Sequence, residues 1–184
     1  MSETREPVIA GLMFVDESTA KDYLLVAATL RPTQLADARK VMRRLVLKGQ
    51  HRVHMKTEGD SRRRLILAEI SKVNPQITIY WAGEQYQTDY AQRTACITRL
   101  ISDAARDLHT ELVMEYDESR FRRDQQTIID ATRDYGCMHR LAYRHARASE
   151  EPLLIIPDAV GWAWARGGEW KNRCAKLNVS LVPA

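Results

Sequence analysis

The sequence predicts an α/β protein built on a mixed β-sheet with helices on its faces. Two apolar runs, residues 8–15 and 22–30, are separated only by a short turn, which predicts a hairpin of two buried strands. From residue 76 onward, strand-like and helix-like segments alternate, as in sheets covered by helices. The 184 residues are enough for a single domain, 1–184, that can bury a proper core.

The segment 32–73 predicts a helical insert after the second strand. Its first helix begins at Pro32 and ends at Gly49, since proline is favoured in a first turn and glycine after a last one. Ser61 caps the second helix, which Pro75 stops. The first helix should present an apolar side to the core.

The remaining elements are predicted from the same patterns of periodicity and chain breakers. They are an extended stretch at 51–56, a strand at 76–82, a helix at 90–108, a strand at 111–116, a helix at 124–135, a helical stretch at 137–148, a buried strand at 153–156, a helix starting at Pro157 and a final strand at NVSLV.

Composition limits where the chain works. Hydrophobic residues make up 45% and charged residues 28%, which is ordinary for a soluble globular protein. The longest apolar runs are far shorter than the roughly 20 residues that a membrane span needs. The start MSETREP lacks the basic and then apolar pattern of a secretory signal. We therefore expect a cytoplasmic protein without a membrane partner.

Positive charge is concentrated in the predicted insert, although the whole chain carries only +4. Residues 39–64 contain ten Lys and Arg against two acidic residues, and several recur at helical spacing. A cationic helix face can lie along phosphates, although a solvated helix face is an equally good explanation. The candidates for nucleic-acid contact are Arg39, Lys40, Arg43, Arg44, Lys48, Arg52, Arg62 and Arg63.

Carboxylates interrupt or follow three apolar runs. Asp16 closes the first strand, Glu115 and Asp117 close the strand at 111–116, and Asp158 follows the run PLLIIP. Carboxylates at strand ends can converge, and hard divalent cations such as Mg²⁺ or Mn²⁺ prefer carboxylate oxygens. These four residues are therefore candidate metal ligands. Polar caps at strand exits and a helix N-terminus are the simpler explanation for each one taken alone.

Without the insert, the element order is β-β-β-α-β-α-β-α, and here the chain resembles the RNase H-like superfamily of nucleases. Within that superfamily the resemblance is to an uncharacterised bacterial family whose first strand ends in Asp-Glu-Ser-Gly. The corresponding motif is FVDES, with Thr19 in place of the glycine. The resemblance spans most of the chain and implies an RNase H-like sheet of three antiparallel strands plus two parallel ones, flanked by helices.

The resemblance also implies a set of site residues. In that fold the first strand lies beside the fourth, with a carboxylate near the end of each and another on the last helix. Asp16 matches the first position, Asp117 or Glu115 the second, and Asp158 the third. The acidic residue that many such enzymes carry on their first long helix has no clear counterpart. A basic residue after the insert accompanies the acidic site in the resembling family, and Lys56 matches it.

Two further groups have chemistry that suits such a site. His54, in HRVHMKTE, could move a proton near neutral pH. Trp162, Trp164 and Trp170 could stack the bases of single-stranded nucleic acid, although tryptophans at this density more often pack in a core or an interface. An exposed Trp-rich C-terminus would favour a homodimer.

The sequence therefore predicts a metal-dependent nuclease or related phosphodiester hydrolase. Asp16, Asp117 and Asp158 would hold Mg²⁺ or Mn²⁺ that activates water, with Lys56 and His54 in support. One alternative is a non-catalytic RNase H-like module that binds nucleic acid or a protein. Another is a hydrolase that acts on a small phosphorylated molecule through the same carboxylates.

Overall fold

The computed structural model describes residues 10–20 and 22–184, and these form an α/β fold with a six-stranded mixed sheet flanked by helices. The strands are β1 (Leu12–Ser18), β2 (Leu24–Leu30), β3 (Gln76–Trp81), β4 (Glu111–Glu115), β5 (Ala142–Ala146) and β6 (Asn178–Pro183). The helices are α1 (Leu35–Leu45), α2 (Asp60–Val73), α3 (Asp89–Arg106), α4 (Phe121–Asp134), α5 (Ile155–Arg166) and α6 (Gly168–Arg173). Short 3-10 turns precede α1 and α5 and follow α6.

The strand order across the sheet is β5-β4-β1-β2-β3-β6. The strand β2 is antiparallel to both of its neighbours, β1 and β3, whereas β4 is parallel to β1 and β5 is parallel to β4. The last strand, β6, pairs in parallel with β3 and adds a sixth strand to the five expected from the resemblance. The central position of β1 places its C-terminal end in the middle of the sheet, directly beside the end of β4.

The two faces of the sheet bury separate apolar cores. The first face carries Phe14, Val26 and Val113, and it packs against α1, α2 and α5. The second face carries Val15 and Leu112, and it packs against α3 and α4. Neighbouring residues of a strand point to opposite faces, so each core takes every second residue of β1 and β4.

The end of β1 differs from the prediction in a way that matters for the site. The predicted strand 8–15 stops before Asp16, whereas the observed strand continues through Asp16 and Glu17 to Ser18. Residues 8 and 9 lie outside the described part of the chain. Because both acidic residues lie within the strand, their side chains point to opposite faces of the sheet.

The prediction of a helical stretch at 137–148 is wrong, because this segment contains β5. Burial alternates along it, with Leu141 buried, Ala142 exposed, Tyr143 half-buried and Arg144 exposed. That period of two belongs to a strand, and at a sheet edge one side can carry charged residues. The arginines at 140, 144 and 147 resemble a charged helix face, which explains the misassignment.

The prediction of a buried strand at 153–156 is also wrong. Residues 152–154 form a 3-10 turn, and α5 begins at Ile155, two residues before the predicted start at Pro157. A short, fully buried apolar run does not distinguish a strand from a buried helix. Pro157 is compatible with α5 because it lies in the first turn, where a backbone N–H has no helical partner.

The segment 51–56, predicted as extended, pairs with no strand and consists of bends and turns. Among the described residues, none of the helices combines the length and the apolar character needed to cross a bilayer.

Candidate active site

Asp16 and Glu115 lie side by side at the ends of two neighbouring parallel strands. The register pairs Val15 of β1 with Met114 of β4, so the next residue of each strand projects from the first face of the sheet. The side chains of Asp16 and Glu115 are close enough to interact by hydrogen bonding, and this contact raises the pKa of Asp16. The fold therefore brings two of the predicted acidic residues into direct contact.

Asp158 reaches the same place from the first turn of α5. Its Oδ2 accepts a hydrogen bond from the backbone N–H of Met55 at 2.9 Å, and its Oδ1 lies 3.1 Å from Nδ1 of His54. Its negative charge acts on Asp16. We call Asp16, Glu115 and Asp158 the carboxylate cluster.

A close approach of α5 to the sheet makes this meeting possible. At Gly161 an added Cβ would lie 3.2 Å from Cγ2 of Val26 and 3.3 Å from Cβ of Ser18, which is tighter than ordinary packing. The absence of a side chain at Gly161 lets the helix lie directly on β1 and β2. Asp158, one turn earlier, is thereby held near the end of β1.

The electrostatics of Asp16 show how crowded the cluster is. Burial raises the pKa of the Asp16 carboxyl well above its ordinary value, and the contact with Glu115 and the charge of Asp158 raise it further. The guanidinium of Arg52 acts in the opposite direction. Carboxylates that share one site cannot all ionise without a compensating cation. Glu115 is paired with Arg52 and Asp158 with His54, whereas Asp16 forms no ion pair with any described residue.

The segment between α1 and α2 supplies cationic groups to the cluster. Val53 and Met55 are buried in the first core, and Arg52, His54 and Lys56 alternate with them toward the site. Arg52 forms an ion pair with Glu115. The hydrogen bond with Asp158 raises the pKa of His54 above its ordinary value of 6.5, although burial opposes this.

Lys56 is exposed and lines a groove of about 830 Å³ that begins at Asp158 and His54. The groove continues past Trp162 to Arg166, along one face of α5. We call it the α5 groove. It gives a solvent path from the carboxylate cluster to the end of α5.

Asp117, the other predicted ligand from this strand, is placed differently. The strand β4 ends at Glu115, and Asp117 accepts hydrogen bonds from the backbone and hydroxyl of Ser119 in the turn before α4. It also lies 3.6 Å from Arg120. None of its described contacts reaches the carboxylate cluster, and its role as a metal ligand stays a prediction.

Within residues 10–20 and 22–184, no group of three or more His, Cys, Asp or Glu side chains is arranged so that it could hold a metal ion. The contacts of the cluster explain this. Glu115 is engaged by Arg52, and both Asp158 oxygens face His54 and Met55. Only Asp16 and Glu115 are in direct contact with each other, and Asp158 acts on Asp16 through its charge.

The predicted nucleic-acid contacts separate into two groups. The exposed residues Lys40, Arg43, Arg44 and Lys48, on or just after α1, form no ion pair with any described residue. Arg39 instead forms a two-pronged ion pair with Glu151, which is 6% exposed. Arg39 thus anchors α1 to the start of the 3-10 turn before α5.

Arg62 and Arg63 are also engaged within the fold. Arg62 donates to the backbone carbonyl of Leu45 and lies 3.6 Å from Glu58. Arg63 donates to the backbone carbonyls of Met55 and Lys56, at 3.0 and 3.1 Å. These two arginines fix the segment that carries His54, and Arg63 also lines the α5 groove.

A second polar network, which the sequence reasoning missed, lies on the opposite face of the sheet. Arg93 of α3 forms a two-pronged ion pair with Asp124 of α4 at 2.7 and 2.8 Å, and it also pairs with Glu17. Glu17 accepts a further hydrogen bond from Tyr23 at 2.8 Å and pairs with Arg120. In the sequence, only Glu17 indicated this network, because it lies at the end of an apolar run. Arg93 and Asp124 are single charged residues within amphipathic helices, and such residues are usually exposed.

Comparison of the sequence with protein-family models gives no match, and comparison with curated proteins gives no significant match. The function is therefore inferred from the geometry and the chemistry of the site.

Proposed function

We propose that the chain is a metal-dependent nuclease, or a related phosphodiester hydrolase, of RNase H-like fold. The observation that carries the proposal is that β1, β4 and α5 bring Asp16, Glu115 and Asp158 to the same edge of the first face, where Glu115 contacts Asp16 and the charge of Asp158 acts on it. The position of β1 beside β4, and the entry of the third carboxylate from a late helix, agree with what the resemblance implies.

The donor chemistry of the cluster suits Mg²⁺ or Mn²⁺, but holding an ion would require its carboxylates to rearrange from the positions described above. Carboxylate oxygens are the ligands that these ions prefer. The pKa of Asp16 is raised first by burial and then by Glu115 and Asp158, and a bound cation would favour its ionised form. Bound there, such an ion would supply an activated water and stabilise charge on a phosphate. Asp16, Glu115 and Asp158 would hold it, and Arg52 would have to release Glu115.

Other residues would act on the substrate directly. His54, held by Asp158, is placed to carry a proton to or from a group bound at the cluster. Lys56 is exposed at the start of the α5 groove, where its ammonium can meet a phosphate oxygen. The unpaired cations of α1 provide a surface for the phosphates of a longer nucleic acid.

A test combines metal binding with cleavage. Wild-type protein should bind Mn²⁺ in calorimetry and cleave single-stranded or duplex DNA or RNA in its presence. The substitutions Asp16→Asn and Asp158→Asn should abolish both properties, because each removes an anionic ligand. Asp130→Asn, an exposed carboxylate on α4, is the matched control and should leave both unchanged.

A non-catalytic nucleic-acid-binding module is the second candidate. It is favoured by the ion pairs that Arg52 and His54 already form with the carboxylates. Absence of Mn²⁺ binding and of cleavage of every nucleic acid, together with retained nucleic-acid binding, would establish this alternative and exclude the nuclease.

A further inference from the structure

The α5 groove is built from one face of a helix that starts at the carboxylate cluster. Asp158, Trp162 and Arg166 are spaced four residues apart, so they lie in a row along α5. Eight residues of helix correspond to about 12 Å, which gives the groove its length beyond the cluster. A chain bound at the cluster would therefore continue past Trp162 and reach Arg166.

An arginine and a tryptophan that contact each other lie beside this row. The guanidinium of Arg63 lies 4.5 Å from the centre of the Trp162 ring. Arg63 is held in place by the carbonyls of Met55 and Lys56 and by Asp60 at 2.8 Å. Trp162 is held by an edge contact with Trp170, at 5.1 Å between ring centres. We call Arg63 and Trp162 the stacking pair.

The charges along the groove suit a polyanion. Lys56 and Arg166 contribute positive charges, Arg63 is paired with Asp60, and the acidic residues of the lining are Asp158, which contacts His54, and Glu17. Glu17 is already paired with Arg93 and Arg120, so its charge is compensated. Arg166 is exposed and forms no ion pair with any described residue, which leaves its guanidinium available for a phosphate.

We propose that the α5 groove binds a single strand of nucleic acid, with one unpaired base on the stacking pair and the next phosphates on Lys56 and Arg166. Aromatic rings and arginine planes stack bases regardless of sequence. In a duplex both faces of each base are covered by neighbouring pairs, so only an unpaired base can occupy this surface. The inference names the substrate class of the proposed nuclease and in that respect rests on the proposed function.

The test measures binding without cleavage. A fluorescein-labelled 12-nucleotide single strand, as DNA and as RNA, and the duplex of the same sequence are titrated in EDTA, with anisotropy as the readout. We expect at least one of the single strands to bind at least tenfold more tightly than its duplex. Trp162→Leu should weaken single-strand binding by about fivefold or more, because about fivefold is the smallest loss of affinity expected when one base no longer stacks on an aromatic ring.

Matched variants separate stacking and charge from general effects. Trp162→Phe should recover most of the affinity lost in Trp162→Leu, because it restores an aromatic face. Arg166→Ala should weaken binding several-fold, whereas Arg122→Ala, an exposed arginine on α4 across the sheet, should not. Circular dichroism and thermal unfolding verify that each variant is folded.

Equal affinity for single strand and duplex, or equal losses in Arg166→Ala and Arg122→Ala, would overturn the inference. Mn²⁺ binding by the carboxylate cluster is unaffected by that outcome, so the proposed function would survive it. Conversely, tight single-strand binding that depends on Trp162 and Arg166, in a protein that neither binds Mn²⁺ nor cleaves, would overturn the nuclease and keep the groove.

Discussion

The residues of the site differ in how clearly the sequence alone identifies them as candidates. Asp16 and Asp158 could be predicted because each closes an apolar run, and an acidic residue there is conspicuous. The choice between Glu115 and Asp117 could not be made, because it depends on where β4 ends, and strand ends are set by pairing with neighbouring strands. Arg93 and Asp124 gave no signal, since burial of a charge depends on a partner distant in sequence.

His109 is a residue whose ionisation is tied to folding. It is buried, and its Nδ1 accepts a hydrogen bond from the backbone N–H of Gly11 at 3.1 Å. Burial lowers the pKa of His109 below its ordinary value of 6.5, although Asp107 and Asp103 act in the opposite direction. The folded protein therefore keeps this imidazole neutral at pH values where the unfolded chain binds a proton.

The contribution of His109 to stability should consequently fall in mild acid. The contribution of neutral His109 is fully present above the unfolded pKa of about 6.5 and is lost as the pH falls toward the folded pKa. The slope from this group is at most about 1.4 kcal/mol per pH unit. Urea denaturation between about pH 7.5 and about pH 5 measures it.

The variant His109→Asn keeps a hydrogen-bond acceptor near the Nδ1 position and does not titrate, so its stability should depend less steeply on pH than that of wild type. His139→Asn, at an exposed position, should keep the wild-type slope. The same slope in His109→Asn and wild type would contradict this account.

At the scale of elements, α1 combines a structural side and a free side. Arg39 faces Glu151 and ties the helix to the turn before α5, whereas Arg43 is exposed and makes no ion pair with any described residue. The even spacing of the basic residues in the sequence made them look equivalent. Which of these residues is paired depends on the position of Glu151, which is 112 residues from Arg39 in the sequence.

Substitutions in α1 should therefore separate stability from nucleic-acid binding. Arg39→Ala should lower the free energy of unfolding by about 2 kcal/mol, because a mostly buried Glu151 loses its two-pronged partner. Arg43→Ala, the matched control, should change stability by less than about 0.5 kcal/mol. In an oligonucleotide titration the order should reverse, with Arg43→Ala the weaker binder. A larger loss of oligonucleotide affinity in Arg39→Ala than in Arg43→Ala would contradict this, because it would place the phosphate contacts on the Arg39 side of α1.

Elements with clear periodicity were predicted from the sequence, and those without it were not. The amphipathic α3 lies close to its predicted position, and the hairpin of β1 and β2 forms as predicted, although β1 ends three residues later than expected. The edge strand β5 was missed because its exposed arginines resemble a charged helix face. The predicted start of α5 is two residues too late, because the run LLII is buried on every side and was interpreted as a strand. In both cases the neighbouring elements determine the conformation more than the local sequence does.

At the scale of the molecule, the network on the second face connects the sheet to both of its helices. Arg93 is contributed by α3, Asp124 by α4 and Glu17 by β1, and both Arg93 and Asp124 are buried. Asp124 and Glu17 both pair with this one guanidinium. The attachment of the second helical layer includes this charged contact as well as apolar packing.

Removing that guanidinium should be costly. Arg93→Ala leaves Asp124 buried without its partner, and we expect a loss of about 3–5 kcal/mol in the free energy of unfolding, measured with urea. The double variant Arg93→Met with Asp124→Leu should be more stable than Arg93→Ala, because it removes the buried unpaired charge along with its partner. A double variant that is less stable than the single one would show that the apolar surroundings, and not the charge, decide the cost.

The placement of Asp16 and Glu17 on opposite faces has a consequence for how β1 can change. Deleting or inserting one residue between Leu12 and Val15 would turn the strand by half a pleat relative to its neighbours. A deletion would place Glu17 at the position beside Glu115, and an insertion would place the aspartate at the position that pairs with Arg93 and Arg120. A point substitution in β1 alters one of these two sites, whereas a change in the length of β1 alters the carboxylate cluster and the Arg93 network together. The number of residues from Leu12 to Glu17 therefore matters as much to the site as the identity of its side chains.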